Sequence, residues 1–177
     1  LVVVDTYDYW SWFGQIVILM LIQAGGLGIM TFYTFFIVLI GRAIGLKGRM
    51  IVQESLNRYS SSQILVLLKR IMMLTFIIEA IGAVILMIRF IPQYGPVLGI
   101  YRSAFLAISA FCNAGFDVMG GFDSLSGYSG EPAVVLTISM LIIIGGAGFI
   151  VWEDLLNYRK YKKLMLHTKI VIRITAF

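Results

Sequence analysis

The chain has 177 residues, of which 60% are hydrophobic and 13% charged, with a mean hydropathy of +0.94. A soluble domain carries roughly twice that share of charge, so the composition is that of an integral membrane protein. A single Cys (Cys112) excludes an internal disulfide, and a single His (His167) excludes a bis-His haem site. The formal net charge of +5 does not mark nucleic-acid binding, because the basic residues flank apolar runs as topology signals do.

Residues 1–12, LVVVDTYDYWSW, read as an extended or loop segment made acidic by Asp5 and Asp8, with Tyr7, Tyr9, Trp10 and Trp12 as an interfacial aromatic belt. Phe13 to Ile40 predicts a first spanning helix of about 42 Å. Gly25, Gly26 and Gly28 interrupt it, either as a hinge or as a place where a second helix packs closely. Residues 41–70 are polar, with Arg42, Lys47, Arg49, Arg58, Lys69 and Arg70 against Glu54, and are expected on the cytoplasmic side. Ser60, Ser61 and Ser62 offer a cap for the next helix. Ile71 to Ile88 predicts the second span, ended outside by Arg89, Pro92 and Pro96. Glu79 sits at its middle. An acid at that depth is functional by default, and it is either protonated or bonded to the pore helix as a brace.

Val97 to Cys112 is apolar but would extend only about 24 Å, short of a ~30 Å hydrocarbon core. The following loop carries Asp117, Asp123 and Glu131 with no Lys or Arg. Both ends of the short run therefore belong on the outer side, which makes it re-entrant. Non-helical backbone at that depth persists only where it is buried in protein or lines water. We read the stretch Ser103 to Asp117 as a pore helix running into a glycine-centred ion filter. Ala133 to Trp152 predicts a third span, interrupted by Gly145, Gly146 and Gly148. Glu153 to Lys169 is basic and reads as an amphipathic cytoplasmic segment.

The GGLG motif at Gly25–Gly28 recurs as GGAG at Gly145–Gly148, each inside a helix that leads from an acidic loop to a basic segment. The chain thus predicts an all-α membrane fold of repeated helix–pore-loop–helix units. The expected organisation is 1–40 as the end of one repeat, 41–61 as a cytoplasmic connection and 62–152 as a complete second repeat. A cytoplasmic amphipathic segment at 153–169 and the start of a third repeat at 170–177 would follow. Leu1 in place of Met, and an apolar run cut at Phe177, lead us to expect an internal piece of a longer polypeptide.

Four motifs in order, QAGGLGIMTF (23–32), SAFCNAGFD (109–117), GGAGFIVWEDL (145–155) and LHTK (166–169), resemble the KtrB/TrkH/HKT superfamily of potassium transporters, and the KtrB branch above all. The resemblance implies four such units around a pseudo-fourfold pore, with Gly115 as the second unit's filter glycine. It implies that Leu1 is the edge of the first filter strand, whose own glycine would precede it. It also implies a plasma-membrane, multi-pass, pore-forming subunit for potassium uptake, often sodium-dependent. Such a subunit is a homodimer in membrane lipid, on a cytosolic ring of KtrA-like nucleotide-binding regulatory subunits, with 41–58 and 153–169 facing the ring. Arg173 departs from the apolar pattern expected at its position.

The chemistry follows from the residues. Potassium sheds water only where oxygens replace it, and backbone carbonyls do so without a full charge, so the ion can leave again. Glycine permits torsions that turn consecutive carbonyls one way. The expected ligands are the carbonyls of Asn113, Ala114, Gly115 and Phe116. The negative end of the pore-helix dipole favours the cation. Asp117 either concentrates cations at the mouth or bonds loop amides. The alternative is a membrane scaffold or quinone-binding subunit of a respiratory complex. An enzyme is not expected, since no nucleophile–base pair or HExxH motif lies in a span.

Overall fold

The computed structural model describes residues 3–28, 61–149, 151–152, 154–155, 158 and 164–175, with side chains described from Lys69 onward in the long central helix. Its regular structure is helical. Asp5 caps a single turn, α1 (Thr6–Tyr9), its Oδ1 accepting from the N–H groups of Tyr7 and Asp8. Ser11 caps α2 (Trp12–Gly26) through Gly14 N–H. A long helix, α3 (Ser61–Tyr94), leads into α4 (Pro96–Phe111), and a 3-10 turn (Ser126–Tyr128) precedes α5 (Pro132–Gly146). The last described helix is α6 (Leu166–Thr175).

The expected short helix at Val97 to Cys112 is observed as α4, which begins and ends one residue earlier. The chain enters it through Gly95, at φ +80°, with Pro96 at the first helical position. A proline there loses no bond, because its N–H would be an orphan anyway. The reversal from α3 is tight. A Cβ on Gly99 would lie 2.7 Å from Ile91 Cα, so the two helices touch backbone to backbone.

The spans differ from expectation in three ways. The second does not stop at Ile88. It is helical from Ser61 to Tyr94 with Pro92 inside, because one missing N–H removes one bond while the apolar faces on both sides still pack. The first and third break where continuous helices were expected. α2 stops at Gly26 and α5 at Gly146, and the glycine two residues on (Gly28, φ +78°; Gly148, φ +84°) is left-handed. A left-handed glycine after the C-cap is the common way to end a helix. The residues of the expected first span after Gly28 lie outside the described ones, whereas helix resumes at Phe149 on the other side of Gly148. Among the described residues, one helix (Lys69–Tyr94) is long and apolar enough to cross a membrane. Finally, α6 starts at Leu166, so the LHTK motif opens a helix instead of closing a cytoplasmic one.

α4 is the buried axis of the assembly. Leu106, Ala107, Ala110 and Phe111 form one cluster with Ala83, Leu86 and Phe90 of α3, Val134 and Leu141 of α5, and Tyr128. Phe105 forms a second cluster with Ile22 of α2 and with Val118. The outward faces remain apolar: Met20 and Leu21 on α2, Ile81 and Ile88 on α3, and Leu136 and Met140 on α5 are all exposed. In water such a surface would aggregate, whereas hydrocarbon leaves it at no cost.

Candidate functional site

The end of α4 is where the chain turns. Cys112 N–H still reaches Ile108 carbonyl at 2.9 Å, Asn113 N–H reaches Ala110 carbonyl at 3.1 Å, and Ala114 N–H reaches Ser109 carbonyl at 2.9 Å. Asn113 takes φ +54°, a left-handed value that Asn tolerates better than most residues, and Gly115 takes φ +73°. The helix is thereby closed off, and Asn113 to Phe116 proceed as irregular backbone. Among the described residues no group donates to the carbonyls of Asn113, Ala114 or Gly115. The Phe116 carbonyl accepts from Ser109 Oγ at 2.5 Å, which ties the outgoing segment back to α4. Val118, fully buried against Phe105 and Ile22, anchors that segment. A cavity of about 270 Å³ lies beside the turn, lined in part by Ser109, Asn113, Gly115, Phe116 and Asp117, with Ile138 and Ile142 of α5 opposite.

Both glycine doublets meet this helix end. A Cβ on Gly26 would collide with Cys112 Sγ and lie 2.6 Å from Cys112 Cβ, so α2 rests directly on the α4 terminus. A Cβ on Gly145 would collide with the carbonyl oxygen of Phe111, so α5 rests on it from another side. Gly25 has nothing near it, and Gly146 has only Asn113 Nδ2 at 3.8 Å. Within each doublet one glycine is a contact, while Gly28 and Gly148 are helix terminators. Asn113 Nδ2 also donates to the carbonyls of Phe111 (3.3 Å) and Ile142 (3.4 Å), bridging α4 to α5.

Asp117 Oδ1 accepts Met119 N–H at 3.0 Å while the residue also borders the cavity. Asp5 repeats that local bond and adds a distant one, its Oδ2 accepting Phe122 N–H at 2.9 Å, while Asp8 Oδ2 accepts Gly121 N–H at 3.1 Å. The N-terminal segment is thereby laced to the loop after the turn. Burial alone pushes the Asp5 carboxyl up, but the N–H groups of Phe122, Asp8 and Tyr7 outweigh it and hold it below the usual carboxylate range. Near the end of α3, Arg89 grips Glu131 through two bonds of 2.5 and 2.6 Å. The Arg89 hydrogen bond lowers the Glu131 carboxyl's pKa.

Glu79 corrects one expectation. The carboxylate is buried, but its partner is Gln23 Nε2 of α2, at 3.0 Å, and not the pore helix. Gly26 lies against Cys112 one turn beyond Gln23, and it is α2, not α4, that presents the polar group to Glu79. Leu1 lies outside the described residues. Arg173 is exposed in the last turn of α6, where a cation complements the helix dipole.

Four contributors went unread in the sequence. Gln15 of α2 donates to the carbonyls of Tyr7 and Trp10 and accepts from Tyr101 Oη at 2.6 Å, joining α2 to α4. Gln23, Ser109 and Arg102 are the others. Gln15 and Gln23 are the polar residues of an otherwise apolar helix, and such groups need partners in a membrane. That was the available signal. An arginine inside a short apolar helix was a stronger one.

The TrkH family model, described as a cation transport protein, matches residues 1–175. This chain belongs to the TrkH family. It is a membrane protein of a family of ion transporters, not enzymes. Its TrkH-family relatives include Ktr system potassium uptake protein B of Bacillus subtilis, 46% identical over 97% of this chain. Potassium/sodium uptake protein NtpJ of Enterococcus hirae is 40% identical over 99% of it, and Ktr system potassium uptake protein B of Vibrio alginolyticus is 35% identical over 98%. The chain spans under two fifths of the length of these relatives: 38%, 39% and 38% respectively.

Proposed function

We propose that this chain is part of the pore-forming subunit of a potassium uptake transporter, and that Asn113, Ala114, Gly115 and Phe116 contribute one strand of its ion filter through their backbone carbonyls. The observation that carries the reading is the run of three carbonyls, Asn113 to Gly115, that find no donor among the described residues. Asn113 and Gly115 are exposed and Ala114 is half-buried, so these carbonyls are open to a ligand, and a dehydrated cation is a partner that backbone oxygens hold. They follow the C-terminal end of α4, whose dipole favours positive charge. One glycine per strand makes a filter whose selectivity depends on the other strands.

In this reading the relatives' printed substrates, potassium and for one of them sodium, extend to the parent of this chain. Flow is passive and driven by membrane potential. The units repeat around a pseudo-fourfold axis, with 62–152 as one whole unit, and Leu1 borders the neighbouring filter strand. Asp117 stands at the outer mouth, where its charge raises the local cation concentration. The basic segments face the cytoplasm, and the subunit pairs with a second copy on a cytosolic nucleotide-binding ring. All of 41–58 and part of 153–169, the stretches expected to face that ring, lie outside the described residues.

The test is potassium uptake by the full-length parent in a bacterium lacking its own uptake systems, with Gly115 intact or changed to Ser. A Cβ at Gly115 meets nothing within 4 Å, so the substitution does not clash, but φ +73° disfavours any side chain. Gly115→Ser therefore reshapes the filter while leaving the packing intact. Weaker potassium affinity and greater sodium entry at equal protein level are expected. Unchanged uptake would reduce Gly115 to a turn and remove the filter assignment.

A further inference from the structure

The pore helix α4 carries one charged side chain, Arg102, and it is only 6% exposed. Its Nη2 donates to the Met119 carbonyl at 3.1 Å. Its guanidinium carbon lies 4.1 Å from the ring centre of Tyr94 and 5.0 Å from that of Tyr7. Nε has no partner, and among the described residues no carboxylate lies within ion-pair distance of it. Arginine cannot shed its proton in a protein, so a full positive charge is held here by two aromatic faces and one carbonyl. A buried charge without a counter-ion is costly. A brace of the same reach made from a neutral side chain would avoid that cost.

The geometry shows what the charge holds. Tyr94 ends α3, Tyr7 belongs to the N-terminal segment, and Met119 lies on the strand leaving the filter. Met119 is gripped at both backbone groups: Arg102 takes its carbonyl and Asp117 takes its N–H. Asp117 directly follows Phe116, whose own carbonyl is held by Ser109. The outgoing strand is thus pinned at successive points, and Arg102 supplies the outermost. We infer that Arg102 is a positioning residue for the filter: it sets where the outer carbonyls stand and so how well the pore tells potassium from sodium. The inference rests on the filter reading above. Planar guanidinium suits the task because it stacks between rings while presenting a fixed fork, which an ammonium cannot do. Two ions that differ mainly in size and hydration are separated by the placement and stiffness of the carbonyls around them.

The experiment measures potassium uptake by the full-length parent in cells lacking other uptake systems, with sodium added as competitor and uptake normalised to membrane-inserted protein. In Arg102→Met the sodium concentration that halves uptake is expected to fall about tenfold, the loss of a desolvated cation–π and hydrogen-bond contact. Maximal uptake per protein should change far less. Arg102→Lys, which keeps the charge but not the fork, should fall between. Unchanged sodium sensitivity in Arg102→Met overturns the proposal, including the case where uptake drops only in proportion to protein level, since a brace for folding alone would do that. If Arg102→Met fails to reach the membrane, Tyr94→Leu decides. It removes one ring and leaves the guanidinium and Met119 in place. A shift of the same sign supports the role and no shift overturns it. Failure of the underlying filter reading is a different result: the unmodified parent would move no potassium, or Gly115→Ser would leave uptake unchanged.

Discussion

Gly145→Ala and Gly146→Ala differ by one position and should differ sharply in effect. The methyl added at position 145 meets main chain: it collides with the Phe111 carbonyl oxygen and lies 2.8 Å from the carbonyl carbon. Neither atom can rotate away, so α5 must move off α4. Overpacking of a well-packed site typically costs about 1–3 kcal/mol, and a backbone obstacle places this case at the upper end. At position 146 the nearest group is Asn113 Nδ2, at an ordinary 3.8 Å. There the substitution gains up to ~1 kcal/mol of helix propensity. The two variants should therefore be separated by about 2–4 kcal/mol. α2 offers an independent copy, with Gly26→Ala obstructed by Cys112 and Gly25→Ala unobstructed. The assay is the thermal midpoint of the full-length parent in detergent, followed by gel filtration, with potassium uptake in parallel. The obstructed pair should melt early and transport poorly, and the unobstructed pair should match or slightly exceed the parent's midpoint. Equal midpoints for Gly145→Ala and Gly146→Ala would refute the contact reasoning, and with it the role of the doublets as seats for α4.

Gln23→Leu should destabilise the same preparation by about 1–3 kcal/mol, since it leaves the buried Glu79 without its 3.0 Å donor. Adding Glu79→Met should recover much of that loss, and a double variant worse than Gln23→Leu alone would contradict the pairing. Asp5 gives a pH dependence. Its carboxyl is held below the ordinary value of 3.8 in the folded protein, so its contribution is present above that value and is lost as pH falls through the lower folded one. The thermal midpoint of Asp5→Asn should therefore lie below the parent's at neutral pH and converge with it in strong acid. A gap that stays constant across that range would show that the charge is not what Phe122, Asp8 and Tyr7 bind.

Much of this protein was legible along the chain because membrane constraints act locally. Apolar run length separated a short helix from long ones, and α4 was placed to within a residue because Gly95–Pro96 and the Cys112–Asn113 turn punctuate it. The repeated glycine motifs were visible, as was the glycine-centred turn after α4. Their division of labour was not: whether a given glycine is a seat or a helix end depends on which neighbour its Cα faces and on its φ, and residue type specifies neither. For the same reason Glu79 announced that it needed a partner without naming Gln23, which lies far away in sequence on another helix. Arg102 could be noticed as a misplaced charge, but its ring faces and its grip on Met119 come from three separate segments. Hydropathy and glycine spacing by themselves determined the class, the short helix and the turn. Tertiary packing alone decided which polar groups meet, because in a medium without water each must find its partner across the fold.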